Sequence, residues 1–247
     1  MLPPIRGFIE TTMLDWEGSL ASVVFLPGCN FRCGYCHARH LIETRVSDEV
    51  IPLEAVLLAL RRHRGWIDGV VISGGEPTIH KGLSELIARF HAEGLGVKLD
   101  TNGSRPGVLE SLLGEGVLDY VAMDVKAPLD ETYAQVAGVE VDLDAIRRSI
   151  DLLLSSNVPY EFRTTVCPAQ LGEEEIERIA RSVSGARLLY LQPFRPVNCY
   201  DRSFESITAY NQDRMRELCR IAAPYVERCL VRGDQAGEFA TVGERRN

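Results

Sequence analysis

Strand-like and helix-like segments alternate along nearly the whole of this chain. Runs rich in β-branched and apolar residues recur at 22–26, 69–73, 96–100, 120–126, 160–166 and 188–194. Between them, 53–63, 81–93, 106–113, 143–155 and 173–183 carry apolar residues at helical spacing. Pro52 suits a first helical turn, and Gly94 suits a helix stop. Repeated strand, helix, strand units imply parallel strands joined by right-handed crossovers. The expected fold class is therefore α/β, either an open doubly wound sheet or a barrel, complete or incomplete. A last helix is expected over 207–222, a short apolar run over 229–231, and a frayed tail after Gly233. No repeat, low-complexity tract or linker divides the 247 residues, so one domain is expected.

Both architectures bring ligands to the carboxyl ends of the strands, which gives the polar residues there a meaning. Residues two apart in a strand share a face, so Ala122, Asp124 and Lys126 point one way. Glu161, Arg163 and Thr165 do the same on a later strand, as do Tyr190, Gln192 and Phe194. Such charges are costly in a dry core without partners. A polar ligand in the lumen would supply them.

Composition narrows the partners. The chain has 27 Lys and Arg against 35 Asp and Glu, a formal charge of −8, and lacks the basic footprint of a nucleic-acid binder. The amino-terminal residues lack the basic-then-apolar order of an export signal, and no uncharged apolar stretch reaches the length of a membrane span. A cytoplasmic address is expected, where the seven cysteines stay reduced. Cys167, Cys199, Cys219 and Cys229 lie far apart and read as packed thiols, and Trp16 and Trp66 as packing residues.

Cys29, Cys33 and Cys36 form a CxxxCxxC loop just after the first predicted strand. Three thiolates so close together can hold one face of a compact metal centre and leave one corner without a cysteine. Other readings stand beside that one. His37 or His40 could complete a Cys₃His zinc site, Cys33 to His37 formally fits a CxxCH haem attachment, and three unliganded thiols remain the plain alternative. Haem would leave Cys29 idle.

The loop, with Tyr35 just before the third cysteine, resembles that of the radical S-adenosylmethionine (SAM) superfamily. Other motifs follow in the order that family has them. Gly74-Gly75-Glu76-Pro77 looks like its GGEP strand end, and Asp100-Thr101-Asn102-Gly103 and Asp124-Val125-Lys126 are similar to the DTNG and DxK elements of glycyl radical enzyme activating enzymes. The stretch from Val23 to Ala38 resembles most the activating proteins of anaerobic ribonucleoside-triphosphate reductase. No ferredoxin-like cysteine insert of the kind found in some other activases is present.

The resemblance implies a partial (β/α)₆ TIM-like barrel, with its core at about 19–195 and a helical extension at about 200–233. It implies a 4Fe–4S cluster on Cys29, Cys33 and Cys36, and SAM bound by Tyr35, Gly74, Gly75, Glu76, Asp100, Thr101, Asn102, Asp124 and Arg163. A monovalent cation would sit near the acidic positions, Lys126 near the transferred radical, and Arg163 on the SAM carboxylate. The implied activity is reductive cleavage of SAM to methionine and a 5′-deoxyadenosyl radical, which takes a Cα hydrogen from a glycine of a partner enzyme. An anaerobic ribonucleotide reductase is the expected partner and flavodoxin or ferredoxin the expected donor. Two alternatives remain open: a radical SAM enzyme acting on a small molecule, and a zinc or iron–sulfur binding module without turnover.

Overall fold

The computed structural model describes residues 1–43 and 49–234. Its strands are β1 (Gly7–Thr12), β2 (Ala21–Leu26), β3 (Gly69–Gly74), β4 (Gly96–Thr101), β5 (Tyr120–Asp124), β6 (Tyr160–Val166), β7 (Leu189–Pro193) and β8 (Cys229–Val231). The helices are α1 (Arg39–Ile42), α2 (Leu53–Arg62), α3 (Leu83–His91), α4 (Pro106–Gly114), α5 (Glu131–Ala137), α6 (Leu143–Leu154), α7 (Glu173–Ser182) and α8 (Gln212–Ala222). Strand order in the sheet equals order in the chain, and every neighbouring pair is parallel except β1 with β2. The two edge strands do not meet. The fold is an α/β partial barrel with a parallel β2–β7 core, left open along one side.

The helices form where apolar periodicity and caps coincide. Asp142 accepts from the amides of Asp144 and Ala145 to start α6, and Asn211 accepts from the Arg214 amide to start α8. Outward residues of the strands, among them Ile72, Leu99, Val121, Phe162 and Leu191, pack with Leu57, Leu86, Ile150 and Ile179 of the helices into one buried cluster. Burying these apolar faces is the main stabilising term. Inside the curve, Ala21, Val23 and Val71 pack separately with Trp16 and Phe25.

Several details differ from expectation. β1 and α5 were not expected, and β8 adds a parallel strand to what was read as a helical extension. The last helix starts at Gln212 rather than 207, because Asn211 caps it and 202–206 form a 3₁₀ turn. Phe194 follows β7 and packs into the outer core instead of the lumen. Trp66 is 77% exposed, so it does not pack as expected. The four remote cysteines are all buried, as packed thiols should be. Apart from Asp234, the tail after Gly233 lies outside the described residues. Among those described, no helix is long and apolar enough to cross a membrane.

Candidate active site

The cysteine loop is fixed by backbone contacts with four parts of the fold. After β2 the chain turns at Gly28 (φ 77°), whose N–H donates to Leu41 O at 2.7 Å and whose carbonyl accepts from the Glu76 N–H at 2.8 Å. The Arg32 N–H donates to Ala137 O at 2.7 Å, at the end of α5. From the C-terminal region, the amides of Tyr200 and Asp201 donate to the carbonyls of Cys36 and Gly34 at 2.8 and 2.9 Å. The Phe31 N–H points at Cys29 Sγ (3.3 Å) and the Ala38 N–H at Cys36 Sγ (3.4 Å), contacts that favour thiolates.

Gly74 and Gly75 are required by this packing. A Cβ on Gly75 would lie 1.8 Å from the Gly28 carbonyl oxygen, and one on Gly74 2.4 Å from that of Leu26. The double glycine lets the end of β3 lie against the cysteine loop. Glu76 then turns into the protein, fully buried. Its Oε1 accepts from the Thr78 amide (3.0 Å) and from the hydroxyls of Thr78 (2.5 Å) and Thr101 (2.8 Å), while Oε2 accepts from the Asn102 amide at 2.7 Å. Burial raises its pKa, and these four donors oppose that rise. Glu76 thus ties the end of β3 to the end of β4.

The next layer is ionic. Arg163 on β6 lies 3.3 Å from Asp100 on β4 and 3.2 Å from Asp124 on β5, and Lys126 lies 3.4 Å from Asp124. Ser73 on β3 donates to Asp100 Oδ2 at 2.9 Å. Burial alone would raise the Asp124 pKa, but the charges of Arg163 and Lys126 outweigh it and hold the carboxyl below its ordinary value. Burial likewise opposes the charge on Lys126, and the Asp124 carboxylate more than restores it, so the ammonium is held charged. Below this layer Lys98, which is fully buried, lies 3.4 Å from Glu161, and Arg232 reaches Glu161 at 3.0 Å. Lys98 also donates to Asp15 O (2.5 Å) and Tyr190 to Glu17 (2.5 Å), so the loop before β2 seals the floor.

These groups surround one cavity of about 870 Å³. All thirteen residues read from the sequence as site residues line it: Cys29, Cys33, Cys36, Tyr35, Gly74, Gly75, Glu76, Asp100, Thr101, Asn102, Asp124, Lys126 and Arg163. Two buried polar atoms there, Asp100 Oδ1 and the Tyr35 hydroxyl, have no protein partner. Ser73, Arg195, Gln212 and Arg232 also line it and were not singled out from the sequence. Ser73 was legible, since it shares the inward face of β3 with Val71. Gln212 and Arg232 arrive from the C-terminal region, and no local pattern marks them.

Three cysteines of one loop form a donor set compatible with a multinuclear cluster. Among the described residues, no three Cys, His, Asp or Glu side chains converge on a point that could hold a single metal. A zinc ion needs its sulfurs within about 2.3 Å of one centre, whereas a multinuclear cluster takes one thiolate per corner and spreads them. Cys29, Cys33 and Cys36 are the cysteines that line the cavity. His37 Nε2 lies 2.7 Å from Arg195 O, which anchors the ring to the segment after β7. Burial pushes the Cys33 thiol up to about 11, a cost that metal ligation offsets.

An open parallel barrel with a three-cysteine loop and an ion-lined lumen defines a metallocluster enzyme fold. The family model of the radical SAM superfamily matches residues 23–183, and the chain belongs to that superfamily. Membership implies a 4Fe–4S cluster and SAM. A Methanocaldococcus jannaschii protein, provisionally named a glycyl-radical enzyme activating enzyme, is 35% identical over 234 residues, covering 92% of this chain and 95% of the relative. A Helicobacter pylori GTP 3′,8-cyclase is 34% identical over 131 residues, 51% of this chain and 35% of the cyclase. A domain of pyruvate-formate lyase-activating enzyme from Bacteroides vulgatus shares the fold, with a TM-score of 0.53 and 17% identity over 66% of this chain and 98% of that domain.

Proposed function

We propose that the chain works as one radical SAM domain that installs a glycyl radical on a partner enzyme, with an anaerobic ribonucleotide reductase as the preferred target. The observation that carries the chemistry is the single cavity in which three thiols meet Glu76, Asp100, Asp124, Lys126 and Arg163. Similarity over nearly the full length of an activase relative supports the glycyl target, while the cyclase likeness covers only about half of this chain.

When bound, a reduced 4Fe–4S cluster with SAM at its open corner supplies a carbon radical able to abstract hydrogen. Cys29, Cys33 and Cys36 would hold the cluster. Glu76 fixes the strand ends against which Gly74, Gly75, Thr101 and Asn102 meet the methionine part of SAM. Asp100, through its unpartnered Oδ1, and Asp124 would face SAM directly or through a monovalent cation. Arg163 is held between those two carboxylates and can turn its guanidinium to the SAM carboxylate. Lys126 would place a cation near the transferred radical, and the buried Tyr35 hydroxyl, without a protein partner, would be open to a polar group of SAM. The cavity would have to exclude water and hold the target glycine nearer than any protein C–H. A reducing flavodoxin or ferredoxin would deliver the electron. The open side between β8 and β1 admits a loop of the partner.

The test is electron paramagnetic resonance of the anaerobically reduced protein with SAM and the reductase of the same cell. A glycine-centred doublet with stoichiometric 5′-deoxyadenosine is expected. SAM cleavage that depends instead on a metabolite would favour the small-molecule reading.

A further inference from the structure

Two neutral side chains stand side by side where β6 and β7 enter the cavity. Thr165 is in register with Gln192, its hydroxyl donates to Gln192 Oε1 at 3.4 Å, and both line the cavity. Among the described residues, Gln192 Nε2 donates to no protein acceptor. The charged groups beside them are assigned elsewhere: Asp100, Asp124 and Arg163 pair with one another and face SAM in the proposed function, and Glu76 accepts from four donors.

We propose that Gln192 binds the peptide backbone of the target glycine and that Thr165 fixes the plane of its amide. This rests on the activase reading and names the substrate contact of that same site. A glycine offers no side chain, so recognition at that residue falls on its peptide groups. A primary amide carries a donor and an acceptor in one plane, the complement of a peptide N–H and C=O. Gln192 Oε1 accepts from Thr165 with one lone pair and keeps the other for a peptide N–H, and the Nε2 of this cavity-lining amide would donate to a peptide carbonyl. A charged residue here would meet the neutral peptide with a desolvation cost that an amide avoids.

The test uses the full chain, reconstituted anaerobically and reduced with dithionite for turnover, with SAM and a blocked peptide centred on the radical-bearing glycine of the reductase, deuterated at the glycine Cα. Equilibrium binding of peptide and of SAM are measured separately, and deuterium is followed into 5′-deoxyadenosine. Gln192→Met, which removes both hydrogen bonds, and Gln192→Glu, which keeps the acceptor but sets a carboxylate against the peptide carbonyl, are each expected to weaken peptide binding roughly tenfold, with SAM affinity unchanged. Thr165→Val should give a smaller loss in the same direction. Gln192→Glu alters a single heavy atom, so it carries the test if the Met variant fails to melt cooperatively. Unchanged peptide affinity in the variants, or a parallel fall in SAM affinity, overturns the assignment while wild-type deuterium transfer keeps the activase reading. If wild type moves no deuterium from peptide or intact partner, the activase reading falls and the assignment with it.

Discussion

The two halves of the lumen obey the same alternation and fill it with opposite chemistry. On β2 and β3 the inward residues Ala21, Val23, Phe25 and Val71 close on each other and on Trp16. On β4 to β7 the corresponding inward positions are Lys98, Asp100, Asp124, Glu161, Arg163 and Gln192, and there the cavity opens. The apolar half is a packed platform whose upper end carries the cysteine loop. The polar half is costly to bury, and it is stable because almost every charge has a partner across a strand. Under the proposed function the two halves would divide the labour, the apolar half holding the cluster and the polar half meeting SAM.

The largest effect should come at the platform's rim. If Cys29, Cys33 and Cys36 each hold one corner of the cluster as proposed, replacing any one by Ala should lower SAM cleavage by more than about a thousandfold, seen as lost 5′-deoxyadenosine and lost iron. In the polar half, Arg163→Met leaves Asp100 and Asp124 facing each other without their shared cation and should cost about 3–5 kcal/mol in urea unfolding. Val71→Ala, in the apolar half, should cost only about 2 kcal/mol as a simple cavity. Equal losses for these two would break the contrast between the halves. Gly75→Ala should cost about 1–3 kcal/mol, since the Gly28 carbonyl has to shift, and should lower iron content along with stability.

The smallest effect is the pH response of the polar half. The Asp124 pKa is lowered in the folded protein, so its contribution is present above the unfolded value of about 3.9 and is lost as pH falls through the folded value. Urea midpoints measured below about pH 4 should therefore fall more steeply for wild type than for Asp124→Asn. Parallel slopes would remove Asp124 from the ionic account.

Much of this was legible because the signals are local. The six core strands alternate or run apolar over their own length, and CxxxCxxC, GGE, DTNG and DxK each lie within a few consecutive residues. Other elements were not legible for equally physical reasons. β1 is a six-residue edge strand with three exposed positions, so burial does not write a pattern into it. α5 spans seven residues, too few for a clear period, and its marks are only Asp130 at the start and Gly138 (φ 68°) at the end. The resemblance put Gly74 and Gly75 against SAM, and only the structure shows that their missing Cβ atoms also make room for the cysteine loop's own backbone.

What the sequence determined by itself was the order of strands and helices, the three-thiol loop, and the identity of the residues at the strand ends. Periodicity and short-range spacing depend on backbone geometry alone, so they survive without a fold. Tertiary structure decided the pairing: Arg163 between Asp100 and Asp124, Glu76 against Thr101 and Asn102, and Arg232 brought from the far end of the chain onto Glu161. Those contacts join residues tens of positions apart, and only closing the sheet around the lumen brings their charges within reach.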